Sequence, residues 1–99
     1  MDYINTVLEK IRNCYGAYIG TKSVHRLATF LSGFECAIYE LTGKYSTLNS
    51  RFQLFIEKKF NISFCGYHWS DILTLEHTDA EGFDLFFVYW DEFKNTAIE

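Results

Sequence analysis

Cys65-Gly66-Tyr67-His68 sets a thiol and an imidazole three positions apart, a pair that can act as nucleophile and base or as two ligands to a metal. Nucleophilic use of the thiol needs a third group to orient the base, and a structural zinc needs four ligands. His25 and His77 would have to be brought in by the tertiary fold. Glu76-His77-Thr78-Asp79 sets carboxylates beside an imidazole, but Thr78 and Glu81 also form the T-x-x-E pattern of a helix capping box. No Gly-x-Ser-x-Gly, His-Glu-x-x-His or glycine-rich phosphate loop occurs. The expectation is a protein without catalytic residues, metal or cofactor. A third pattern suits binding. On a helical wheel Glu81, Asp84, Asp91 and Glu92 fall within an arc of about 100°. They are flanked by Val88 and Asn95 and turned away from an aromatic face. Such an arc is either a solvated helix face or a negative surface that speeds encounter with a basic partner. Tyr89, at the edge of the arc, is the candidate aromatic anchor, with partial burial in the core as the other reading.

The elements that carry these residues follow from apolar spacing. Ile4, Val7, Leu8 and Ile11 recur at i, i+3, i+4 and i+7 and predict a helix from Asp2 to Asn13. The stretch Tyr15–Gly20, with two glycines, is expected to end it. A second helix, capped by Thr21 or Ser23, runs to Leu41. Its apolar arc of Val24, Leu27, Ala28, Phe30, Leu31, Phe34, Ala37, Ile38 and Leu41 is wide enough for a central helix. Gly43 stops it, and Ser46 or Thr47 caps a third helix marked by Leu48, Phe52, Phe55, Ile56 and Phe60. Residues 61–67 read as a loop. Trp69, Ile72, Leu73 and Glu76 predict a short fourth helix capped by Ser70, with a strand through 72–75 as the alternative. The capping box at Thr78 opens a last helix to Asn95 that buries Phe83, Phe86, Phe87, Trp90 and Phe93. The fold class is therefore all-α, a single-domain bundle of about five helices over residues 1–99.

Composition narrows function without naming it. The chain has 99 residues, 48% hydrophobic and 19% aromatic, the makeup of one core and not of a disordered segment. No apolar run approaches a membrane span, and the acidic start does not suit a secretion signal. Three cysteines without paired spacing suit reduced thiols in a cytoplasmic protein. Net charge is −4, so direct affinity for nucleic acid or anionic lipid is not expected. The charge is segregated. Residues 1–70 carry eight bases against five acids, net +3, and residues 71–99 carry one base against eight acids, net −7.

Several ordered segments resemble one family. The run from Ile11 to Ser23 is similar to an I-R-x-R-P-G-M-Y-[IL]-G-x-K-S segment, with Tyr15 where the family has proline and Ala17 where it has methionine. Phe30-Leu31-Ser32-Gly33-Phe34 matches F-[IL]-x-G-[YF], and Phe52-Gln53-Leu54-Phe55-Ile56 matches F-x-x-F-[IL]. A Trp-containing turn follows at His68-Trp69-Ser70-Asp71-Ile72, and residues 82–93 are similar to an A-F-x-x-F-F-x-x-x-D-E-F helix. The chain thus resembles small bacterial immunity proteins that accompany polymorphic toxins, including those of contact-dependent growth inhibition. The resemblance implies an inhibitor that binds a cognate toxin domain and covers its active site, and from its helical patterns the free domain is expected to be a monomer. Many such toxins are nucleases with basic grooves, for which the surface around Glu81, Asp84, Tyr89, Asp91 and Glu92 would compete. The alternative function is a non-catalytic adaptor or regulatory interaction domain.

Overall fold

The computed structural model describes residues 2–62 and 66–96. Five α-helices make up the regular structure among them: α1 (Asp2–Ile19), α2 (Val24–Thr42), α3 (Leu48–Lys59), α4 (Trp69–Leu73) and α5 (Asp79–Thr96). The expected all-α bundle is what the chain forms. Helix α5 packs against α2, α3 and α4, α1 lies on α2, and α3 on α4. The radius of gyration is 13.1 Å, as expected for a folded chain of this length.

The spacing of the large side chains explains the packing. Ile4, Val7, Leu8 and Ile11 from α1 meet Val24, Leu27, Ala28 and Leu31 from α2, and all eight are buried. Phe52 of α3 is the hub of the aromatic part. Its ring takes edge-to-face contacts with Trp69, Phe86, Trp90 and Phe93, all with centroids 5.2–5.4 Å apart. That geometry sets positive ring edges on negative ring faces and adds to the area buried. Both indoles keep their N–H bonded. Trp69 Nε1 donates to Asn49 Oδ1 at 2.7 Å, and Trp90 Nε1 to Asn5 Oδ1 at 3.3 Å.

The first helical stretch breaks at Cys14 (φ −150°, ψ 56°), just after its expected end at Asn13, but a further helical stretch to Ile19 stands where a glycine-led turn was expected. Just before the kink the Asn13 side chain donates to the Glu9 carbonyl at 2.9 Å, a local bond that competes with the helical ladder. The extra turn carries Ile19 into the core, where it is buried. Arg26 Nη1 then donates to the Ile19 carbonyl at 3.0 Å. Gly20 makes the turn with φ +83°, and a Cβ there would sit 2.9 Å from that guanidinium.

Ser23 is the N-cap of α2, its hydroxyl accepting from Arg26 N, and Gly43 closes the helix in the left-handed conformation. The wide apolar arc is buried only over the first half of α2. Ala37 is exposed and Leu41 is 86% exposed, while Phe34 and Ile38 are half-buried against the core. At α3 the Thr47 side chain makes no cap bond, and Ser46 Oγ accepts from Leu48 N instead. Residues 72–75 are not a strand: α4 ends at Leu73, so Glu76 lies outside it. Its cap is His68, not Ser70. The imidazole Nδ1 accepts from Ser70 N, while Ser70 itself is buried. The capping box of α5 forms reciprocally, Thr78 N to Glu81 Oε1 and Glu81 N to Thr78 Oγ1.

Candidate functional site

Helix α5 presents its acids to solvent because its opposite face is fixed. Phe83, Phe86, Phe87, Trp90 and Phe93 are all buried, and the 3.6-residue period turns the intervening residues outward. The carboxylates of Asp84 and Glu81 are 63% and 61% exposed, and those of Asp91 and Glu92 are half-exposed. Val88, 56% exposed, stands among them. The face is therefore placed where the sequence put it.

Its electrostatics differ from a bare negative stripe, because each acid has a partner within the chain. Asp91 Oδ1 lies 2.8 Å from Arg12 Nη2 and 3.6 Å from Lys94 Nζ. Asp84 Oδ1 lies 3.0 Å from Lys22 Nζ, and Glu92 pairs with Lys59. The basic N-terminal part of the sequence thus supplies the counter-charges for the acidic C-terminal part. Glu81 is committed to the cap: the Thr78 N–H holds its carboxyl below the usual carboxylate range, with His77 helping. Its neighbour Asp79 reaches α2. Desolvation raises the Asp79 carboxyl, but the Ser23 hydroxyl and the backbone N–H groups of His25 and Val24 outweigh it, leaving a net lowering. Asp79 Oδ1 accepts from His25 N at 3.1 Å, which supplies one of the unpaired donors at the start of α2. Tyr89 is half-buried, packs on the core cluster and meets Phe60 edge-to-face at 5.5 Å. Part of the proposed anchor is thus already used in folding.

The chemistry considered at Cys65 falls outside the described residues. His68 serves α4 as described, and His25 lies toward Asp71 and Thr74, with Nδ1 3.9 Å from Asp71 Oδ1 and Nε2 3.3 Å from Thr74 Oγ1. Among the described residues no group of three or more His, Cys, Asp and Glu is arranged to hold a metal ion. Among the described residues no helix is long and apolar enough to cross a membrane.

Sequence reasoning passed over Glu35. On the helical wheel it lies within the apolar arc of α2, between Val24 and Ala28, and that position was the available signal. Desolvation raises its carboxyl above the usual range, partly offset by Ser46 and Asn49. Its Oε2 is buried without a hydrogen-bond partner.

No protein family, curated protein or solved structure matches this chain.

Proposed function

We propose that this domain works by binding another protein and covering its active site, as an immunity-type inhibitor of a bacterial toxin, a nuclease with a basic groove. The observation that carries the reading is the outward face of α5, where Asp84, Asp91 and Glu92 surround Val88 on a helix anchored from behind by five buried rings. A face held rigid before binding loses little freedom on association. Nuclease grooves hold phosphates through Lys and Arg, and an acidic face of fixed geometry competes for the same cations. The intramolecular pairs leave this possible. Exposed ion pairs are worth only about 0–1 kcal/mol, so an incoming cationic groove can exchange for Lys22 or Lys59. The identity of the partner class rests on the likeness to immunity proteins set out above.

The test is a growth-protection assay against the toxin domain encoded beside this gene, paired with association kinetics for the parent and Asp84→Lys at several salt concentrations. Asp84 is the cleanest position: its partner Lys22 makes no core contact comparable to that of Arg12, which Asp91 holds over the Phe87 ring. The parent is expected to protect, and Asp84→Lys to associate more slowly with a flatter salt dependence. A folded Asp84→Lys variant that associates at full speed would reject the α5 interface while leaving inhibition in place. A parent that neither binds nor protects would reject the function.

A further inference from the structure

The second half of α2 touches the core through the half-buried Phe34 and Ile38, and the chain reverses after it. After Gly43 reverses the direction, donating its N–H to the Tyr39 carbonyl, Tyr45 stacks on Tyr39 with centroids 4.0 Å apart and rings 14° from parallel. Ser32, Glu35, Cys36 and Tyr39 share one face of α2 at i, i+3, i+4 and i+7. Between this face and the returning turn lies an open cleft of about 420 Å³, also lined by Glu40, Tyr45 and Ser46.

We propose that this cleft receives an arginine side chain presented by a partner protein. Its lining holds two carboxylates, Glu35 and Glu40, and no cationic side chain. Lys44 precedes Tyr45 in sequence and does not line it. Tyr45 is 78% exposed, so the ring face not covered by Tyr39 is open to a planar cation. Arginine suits this set better than lysine. Its flat guanidinium stacks on an aromatic ring while its N–H fork meets a carboxylate with two parallel bonds. Glu35 supplies the second argument. Glu35 lines this cleft and also a small apolar void with Leu31, Phe52 and Trp90, and its Oε2 is buried without a hydrogen-bond partner. A guanidinium entering the cleft would offer that carboxyl a charged donor, which none of the other lining residues supplies. The site lies on α2 and the α2–α3 turn, apart from the acids of α5, and would give a basic partner a second point of attachment. It rests on reading the domain as a binder of a basic protein.

The experiment uses no toxin, so it fails separately from that reading. The full chain, labelled with ¹⁵N, is titrated with acetyl-Gly-Arg-Gly-amide, with the lysine peptide, and with the citrulline peptide, a neutral mimic of the same shape. The arginine peptide is expected to give saturable shifts at the amides of residues 35–46, with lysine about fivefold weaker and citrulline without effect. Tyr45→Ala, an exposed position that leaves the core intact, is expected to weaken arginine binding about fivefold. Glu40→Gln is expected to weaken it as well, and Asp84→Lys to leave it unchanged. No saturable shift, equal response to citrulline, or shifts centred on α5 would each overturn the proposal.

Discussion

Arg12 of α1 and Asp91 of α5 meet at 2.8 Å across 79 positions of sequence, with the guanidinium carbon 4.6 Å from the centroid of the Phe87 ring. The same side chain thus closes an ion pair and covers an edge of the aromatic core. Arg12→Ala is expected to cost about 1–2 kcal/mol, the pair and the ring contact together, and Asp91→Asn less than about 1 kcal/mol. For a chain of this size the first corresponds to a drop in Tm of about 4–16 °C. Asp91→Lys, which faces Arg12 and Lys94, should lose more than Asp84→Lys. Equal melting of all four variants would show that the pair adds nothing.

The aromatic hub is the most sensitive part of the chain. Phe52 is 1% exposed and Phe86 is fully buried. Phe52→Ala or Phe86→Ala is expected to cost about 3–5 kcal/mol, through lost burial plus the cavity left behind. Leu54→Ala, at a position 65% exposed on the same helix as Phe52, should stay within about 0.5 kcal/mol. Urea midpoints of the three variants check the ranking.

Two helical glycines should respond in opposite directions. A Cβ on Gly82 would lie 2.8 Å from Val24 Cγ1 and 2.9 Å from Thr74 Cγ2, whereas one on Gly33 meets nothing within 4 Å. Gly82→Ala is therefore expected to destabilise by about 1–3 kcal/mol as overpacking outweighs the better helix propensity. Gly33→Ala should stabilise by about 0.5–1 kcal/mol. Thermal melts of both decide it, and a stabilising Gly82→Ala would show that α2 and α5 have room to part.

His68 gives the fold a dependence on pH. Its Nδ1 accepts from Ser70 N at 3.2 Å and from the Ser70 hydroxyl at 2.9 Å, which requires that nitrogen to be unprotonated. Desolvation lowers its pKa; Asp71 opposes this and His25 adds to it. The unfolded chain therefore takes the proton first, near its ordinary value of about 6.5. The stabilisation is whole above that pH and is lost as pH falls from there through the lowered folded value. Denaturation at pH 7.5 and pH 5 should show the loss in the parent. His68→Asn, whose carbonyl accepts without titrating, should show less of it; an unchanged pH dependence would exclude His68 as its source.

Most local features of this chain were legible in its sequence. Helix faces, the Ser23 cap, the Gly43 stop and the Thr78/Glu81 box depend on residues within about one turn of each other, and each formed as its spacing implied. The outward direction of Glu81, Asp84, Asp91 and Glu92 followed from the same periodicity. What needed the tertiary structure is which groups meet. The +3 and −7 halves read as a segregated charge, yet Arg12, Lys22 and Lys59 fold onto α5 and pair with three of its five acids. No spacing rule links residues 62 or 79 positions apart. The imidazole cap of α4 and the turn that continues α1 past Cys14 were hidden for a related reason. A residue's propensity ranks its average behaviour, and here a side-chain acceptor at His68 and a buried place for Ile19 overrode that average. Glu35, set within an apolar arc, was visible as an anomaly. Only the return of the chain after Gly43, stacking Tyr45 on Tyr39, made a cleft beside it.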